Sequence, residues 1–289
     1  MQAITLQELA ASASSLGVNI GILAREWERQ ETGEPLDALT EKMRCRLQVM
    51  REAVARGLGG VKSRSGLTGG DAQRTAEAAE SARAIGGEPL CTAISYALAV
   101  GEVNACMGRI VAAPTAGSCG IIPAILLAVG EHLGADDGRL IEALFAAGVI
   151  GSIIERKSTL SGAVGGCQAE CGSAAAMAAA AAVQLNGGSP EQCIQAVALA
   201  FKGTLGLVCD PVAGLVEVPC IKRNATSAAV ALAAACMAMA GVLSVIPPDE
   251  VVDAMGAIGR ELPIALRETA MGGLAATPTG KRIAREQQG

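Results

Sequence analysis

Apolar residues at Leu39, Met43, Leu47, Met50 and Val54 recur at helical spacing, while Glu41, Lys42, Arg44, Arg46, Arg51 and Glu52 occupy the faces between them. A single apolar stripe of this kind predicts an amphipathic helix on the surface of a larger body. Its Met and Leu residues are core positions. The whole of residues 5–58 reads as helices with polar outer faces. Further along, the polar faces thin out. A helix is predicted over 71–85, with Asp71 as N-cap after Gly69 and Gly70. Another covers 88–107, apolar with Glu102 and Asn104 inside it. Helices follow near 121–133, 137–156, 173–185 and 190–203. From Ala225 to Ile246 the chain carries no charge, and a further helix begins after Pro248. Gly, Ser, Thr and Pro punctuate these segments in four loops, 63–71, 114–120, 161–172 and 206–220, and again in a tail from Gly272. No linker, internal repeat or charge run divides the chain. One domain, 1–289, is therefore expected, with peripheral helices over 1–60 and a core over 61–289.

Composition turns this pattern into a fold class. Alanine is the commonest residue, Gly numbers 36, and aromatic residues make up 1% of the chain. Strands lean on β-branched and aromatic side chains, whereas alanine is the strongest helix former. The expectation is an all-α protein whose Ala-rich helices are buried and approach one another closely. A net charge of −5 argues against nucleic acid as a partner, because phosphate binding needs a basic face. Mean hydropathy is +0.41, and the charge-free stretch 225–246 is long enough to span a bilayer. That stretch is mostly alanine and has no aromatic belt. It reads better as a helix buried inside a bundle, so no membrane partner is expected and a helical membrane protein is the alternative. The opening MQAITLQELAAS has no basic segment followed by an apolar run. A cytoplasmic location, where disulfides are rare, is the expectation for the ten cysteines.

Those cysteines carry most of the candidate chemistry. Cys167, Cys209 and Cys220 lie in the polar loops. Cys45, Cys91, Cys193 and Cys236 fall on helices and read as packing residues; Cys106 and Cys119 flank Pro114 and fit either role. Cys167 and Cys171 have i,i+4 spacing and form a possible ligand pair. There is no CxxC of the zinc-ribbon kind. Three separated loop thiols among Gly and Pro point to a metal or iron–sulfur site. Three thiolates on a 4Fe–4S cluster would leave one iron open as a Lewis acid. The run SGLTGGD at 65–71 is neither a P-loop nor a dinucleotide fingerprint. Helix N-termini opened by such loops offer free N–H groups to an anion such as a carboxylate. The single histidine, His132, ends a surface-like helix before Gly134, and no Ser-His-Asp or Cys-His set can be assembled. If the chain is an enzyme, its base is unusual or comes from another chain.

Five segments carry a resemblance: SGLTGGD at 65–71, GRIVAAPTAGSCGIIPA at 108–124, GGCQAECGSA at 165–174, GLVCDPVAGLVEVPCIKRNA at 206–225 and MGGLAATPTG at 271–280. Together they resemble the α chain of the iron–sulfur-dependent L-serine dehydratase (L-serine ammonia-lyase). The CDPVAGLVEVPC block is highly specific, and the similarity runs from about residue 60 onward. The resemblance implies an all-helical catalytic subunit holding an oxygen-sensitive 4Fe–4S cluster on Cys167, Cys209 and Cys220, with no pyridoxal phosphate. It implies elimination of water from L-serine to give pyruvate and ammonia, with the open iron as Lewis acid. Ser63, Ser65, Gly66, Thr68, Gly69, Gly70 and Thr115 become the candidates to bind L-serine. A separate β chain is the implied partner and the implied source of the base. A related iron–sulfur lyase acting on another small amino acid, such as cysteine, is the alternative within this chemistry. Two departures stand out. Val164 occupies a position where the family pattern has Glu, and no cysteine follows Cys236 to plug the open iron.

Overall fold

A computed structural model describes residues 5–80 and 85–288. Among them there are helices, turns and two isolated bridge pairs, with no named strand. The all-α expectation holds. The helices are α1 Leu6–Leu16, α2 Ile20–Thr32, α3 Leu36–Leu58, α4 Asp71–Ala79, α5 Leu90–Ala105, α6 Ile121–Leu133, α7 Asp137–Lys157, the single turn α8 Gly162–Gly165, α9 Ser173–Leu185, α10 Pro190–Lys202, α11 Cys220–Met239, α12 Pro248–Glu261 and α13 Pro278–Gln288.

The centre belongs to α9. Its sequence, SAAAMAAAAAVQL, is buried at every position but Gln184. With methyl groups for side chains, a helix can be approached from all sides, and α10, α7, α11 and α6 pack around it. Helix α6 is buried from Ile121 through Gly130, so the segment expected to be surface-like is core, and only its last turn, with Glu131 and His132, is exposed. Helices α1, α2 and α3 lay their apolar faces against α10, α7 and α5. The predicted stripe on α3 is realised, with Leu39, Leu47, Met50 and Val54 buried and Met43 packed at the edge. Where α3 crosses α5, a Cβ on Gly57 would stand 2.3 Å from the Ala99 carbonyl oxygen. No larger residue allows that crossing.

Three boundaries differ from the sequence expectation. The charge-free stretch 225–246 is not one helix and not the central one. Helix α11 starts earlier, at Cys220, and ends at Met239; Ala233, Cys236 and Met237 are exposed on its outer face. Gly241 at φ 82° turns the chain away. Among the described residues no helix is long and apolar enough to cross a membrane. Second, Asp71 is the first helical residue of α4 rather than its N-cap, which is Gly70 at φ 76°. The end of the predicted 71–85 helix includes residues 81–84, outside the described residues. Third, the tail from Gly272 contains helix α13, whose PTGKRIAREQQ sequence has apolar positions too sparse to announce it.

Candidate active site

The polar loops meet at one end of the buried helices, and buried amides stitch them together. Gln168, fully buried, donates from Nε2 to the Gly165 and Met255 carbonyls at 3.0 and 3.1 Å and accepts from the Gly206 N–H at 2.8 Å. One side chain thus ties the 161–172 loop to the 206–220 loop and to α12. Asn224 does the same elsewhere. Its Oδ1 accepts from the Gly120 N–H at 2.9 Å, while its Nδ2 donates to the carbonyls of Gly117 and Cys220 at 2.7 and 2.9 Å. Neither residue stands out in the sequence, because a buried Gln or Asn has no spacing signature.

This stitching places three thiols from three segments. Cys167 precedes a π-helical turn, Gln168–Gly172, that runs into α9; such wide turns recur at functional sites. Cys209 is extended. Its N–H donates to the Leu266 carbonyl at 2.9 Å and its carbonyl accepts from the Glu268 N–H at 2.8 Å. Cys220 opens α11. The three are 3%, 4% and 9% exposed. Burial pushes the Cys220 thiol up to about 12 and raises that of Cys209 further, and the charges of Cys167 and Glu170 act in the same direction on both. Cys167 goes the other way, because Cys171 hydrogen-bonds to it and Arg223 lies nearby, outweighing burial. Cys171 is raised in consequence. Buried thiols of this kind become thiolates together only when a cation compensates their charge.

The surrounding charges are fixed as well. Arg223 approaches Asp210 at 2.7 Å, but its Nη1–H points to the Val208 carbonyl at 2.8 Å. Asp210 Oδ1 therefore takes part in an ion pair without a hydrogen bond, while Oδ2 accepts from the Leu274 N–H at 2.7 Å. Glu170 accepts a hydrogen bond from the Thr115 hydroxyl. Burial raises its pKa, the Thr115 bond opposes this, and the charge of Glu268 adds to it. The ligand atoms of Cys167, Glu170 and Cys171 lie within 4.8 Å of one another. Beside these groups opens a cavity of about 560 Å³, walled by residues 114–117, Glu155, residues 158–162, Glu170, Val216 and Glu268. A second cavity, about 390 Å³, lies between α2, α3 and α7 around Trp27 and Phe145.

Of the seven residues expected to bind substrate, only Thr115 lines the main cavity. The others form a turn closed by a Lys62–Gly69 bridge. Ser65 and Thr68 both donate to Glu217 Oε2 at 2.8 Å, and the Ser63 and Ser65 hydroxyls lie 2.9 Å apart. Gly66, at the exposed tip, donates to the Ser63 carbonyl at 3.1 Å. Gly70, Asp71 and Ala72 donate their N–H groups to the buried Glu102 carboxylate at 3.1, 2.7 and 3.3 Å. The free helix N-terminus expected after Gly69 and Gly70 is thus filled from within the chain. Glu217 lies three residues before Cys220, so this turn braces a site loop from behind. The sequence also conceals Glu268, which reaches the site from a segment with no motif of its own.

Fold and site together define an all-α protein with buried thiols from separate loops gathered beside an acidic cavity. The family model described as "Serine dehydratase alpha chain" matches residues 15–275, and the chain belongs to that family. It is 52% identical over 256 residues to the probable L-serine dehydratase, alpha chain, of Bacillus subtilis (strain 168), covering 89% of this chain and 85% of the relative. It is 42% identical over 287 residues to the L-serine dehydratase, alpha chain, of Peptoniphilus asaccharolyticus, covering 98% and 97%. Against the L-serine dehydratase of Streptomyces coelicolor it is 41% identical over 279 residues, covering 94% of this chain but 60% of the relative.

Proposed function

We propose that this chain is the catalytic α subunit of an iron–sulfur-dependent L-serine dehydratase, a lyase that converts L-serine to pyruvate and ammonia. The observation that carries the reading is the set of three buried thiols, on Cys167, Cys209 and Cys220, brought from three segments close enough for their charges to act on one another, with Cys209 Sγ beside Gly162 of the cavity wall. An all-thiolate donor set suits iron–sulfur clusters or zinc. Gly162 puts no side chain against Cys209, whose Sγ would stand 3.3 Å from a Cβ built there.

Cys167, Cys209 and Cys220 would hold the 4Fe–4S cluster, which when bound supplies a Lewis-acidic iron that makes the serine hydroxyl a better leaving group. The chain's own residues bind and orient. Thr115 presents its hydroxyl beside Glu170 at the cavity wall. Ser63, Ser65, Gly66, Thr68, Gly69 and Gly70 act at one remove, bracing the Cys220 loop through Glu217. Loss of the α-proton and of hydroxide gives aminoacrylate and water, and hydrolysis of its imine tautomer gives pyruvate and ammonia.

The base is assigned to a second chain. His132 sits at the exposed end of α6; a rise of about 1.5 Å per residue puts it roughly 18 Å from the 114–120 loop. The relatives named as alpha chains imply a companion, and the longer Streptomyces relative has room for one in the same polypeptide. We place the enzyme in the cytoplasm, where ten free thiols and an oxygen-sensitive cluster survive, and we treat 1–289 as one catalytic domain. The test is anaerobic reconstitution with iron and sulfide, then pyruvate assay on L-serine with and without the β chain. Absence of a cluster band, or no pyruvate from the assembled enzyme, overturns the reading.

A further inference from the structure

The charged side chains lining the main cavity are Glu155, Glu170 and Glu268, all carboxylates. None of them forms an ion pair among the described residues. Two of the three converge. A methyl built on Gly162 would stand 3.3 Å from Glu170 Oε2, 3.3 Å from Glu268 Oε2 and 3.3 Å from Cys209 Sγ. The two carboxylate oxygens therefore lie within twice that distance of each other, across an opening that glycine leaves clear. Glu170 is nine-tenths buried. Its Oε1 accepts from Thr115, and Oε2 faces the opening with no hydrogen bond. Glu268 is set in place by its backbone, through the N–H that donates to the Cys209 carbonyl at 2.8 Å. Its φ is 64°, a region that glutamate rarely adopts and keeps only where the surroundings impose it.

We propose that Glu170 and Glu268 together receive the α-ammonium group of the amino-acid substrate and so select an amino acid over a hydroxy acid of the same shape. The inference rests on the serine dehydratase reading. An ammonium group offers three donors and needs acceptors around it, and bonds from a cation to carboxylates are the strong ones. The hydroxyls of the 63–70 turn are poorly placed for this task, because they do not line the cavity and Ser65 and Thr68 are turned to Glu217 instead. A hydroxy acid brings a net negative charge and no ammonium, leaving two carboxylates facing an anion. A site built to bond a charged donor rejects the analogue lacking it far more strongly than a pocket rejects a change of size.

The experiment uses the cluster-loaded enzyme with its partner chain, under anaerobic conditions. Glu268→Gln is the main variant, because the residue is exposed and its exchange leaves the core intact; Glu170→Gln is the second. Cluster content is read from visible absorption and bound iron. Both variants should keep the cluster. Each should raise KM for L-serine at least about tenfold with a smaller change in kcat, the pattern of lost binding. Inhibition by L-glycerate, the hydroxy analogue, should hold or tighten, so that the preference for serine falls. Glu268→Asp should recover part of the loss. An unchanged KM, a fall in kcat alone, or an unchanged serine-to-glycerate preference overturns the proposal; a kcat-only fall would move Glu268 to proton transfer. Calorimetric titration of the same proteins with L-serine and L-glycerate measures the preference without turnover. If the unsubstituted enzyme makes no pyruvate, the dehydratase reading fails, while the ammonium site stands or falls on that titration.

Discussion

At the scale of single residues, the cysteines divide by what surrounds them rather than by burial. Cys119 and Cys193 are as buried as Cys209, yet Cys193 packs within α10 and Cys119 lies in the turn before α6, and the charges of Cys167 and Cys220 act on Cys209 and on neither of these two. Cys167→Ser, Cys209→Ser and Cys220→Ser are each expected to abolish stable cluster binding, since a three-point thiolate anchor has no spare ligand. Cys171→Ser, Cys45→Ser and Cys236→Ser should retain it. Iron and sulfide analysis after anaerobic reconstitution checks the set, and a full-strength band in Cys209→Ser protein would refute the assignment. Gln168 makes a different kind of contribution. Gln168→Ala strands the Gly165 and Met255 carbonyls in a buried place and leaves the part-buried Gly206 N–H without its acceptor, which should cost roughly 2–4 kcal/mol. Urea unfolding measures it, and a midpoint unchanged from the parent protein would show that water or a shift of the loops replaces the amide.

At the scale of elements, alanine content governs how the helices meet. On α9, Ala179 is completely buried, while Ala233 on α11 is exposed. Ala179→Leu should destabilise the protein by about 1–3 kcal/mol or more through overpacking, and Ala233→Leu should stay within about 0.5 kcal/mol of the parent. Thermal melts of the two variants side by side decide this, with equal melting temperatures as the adverse result. The same contrast explains what the sequence reveals. The α3 stripe and the uniform alanine run of α9 are periodic or compositional signals, readable one segment at a time. The four loops are visible as Gly-, Ser- and Thr-rich breaks, and three thiols can be picked from them. The capping of α4 by Glu102 is not readable, because the acceptor comes from another helix. The arrival of Glu268 beside Cys209 is hidden for the same reason: it depends on a tertiary bridge between residues 209 and 267, and no local pattern encodes that pairing.

At the scale of the whole molecule, the place of the single histidine, at the exposed end of α6, bears on what the chain does by itself. The clustered chain alone should be a poor catalyst. Adding the β chain should raise the rate of pyruvate formation at least about tenfold, a low bar beside the range of about 10²–10⁴ typical of a positioned base. His132→Ala in the assembled enzyme should leave that rate nearly intact. Anaerobic titration with the partner provides the measurement; full activity without it, or its loss in His132→Ala, would put the base in this chain.

The dispersal of the cavity wall also has a temporal side. Its walls run from Pro114 to Glu268, and the backbone of Cys209 is bonded to Leu266 and Glu268. A growing chain that has not yet delivered Glu268 from the ribosome carries all ten thiols but lacks the bridge that positions Cys209, so the proposed cluster site is not yet assembled. Metal offered at that stage would meet loose sulfur groups with no preference among them. On the proposed reading, the topology then sets an order of events: synthesis first, closure of the loops second, cofactor last.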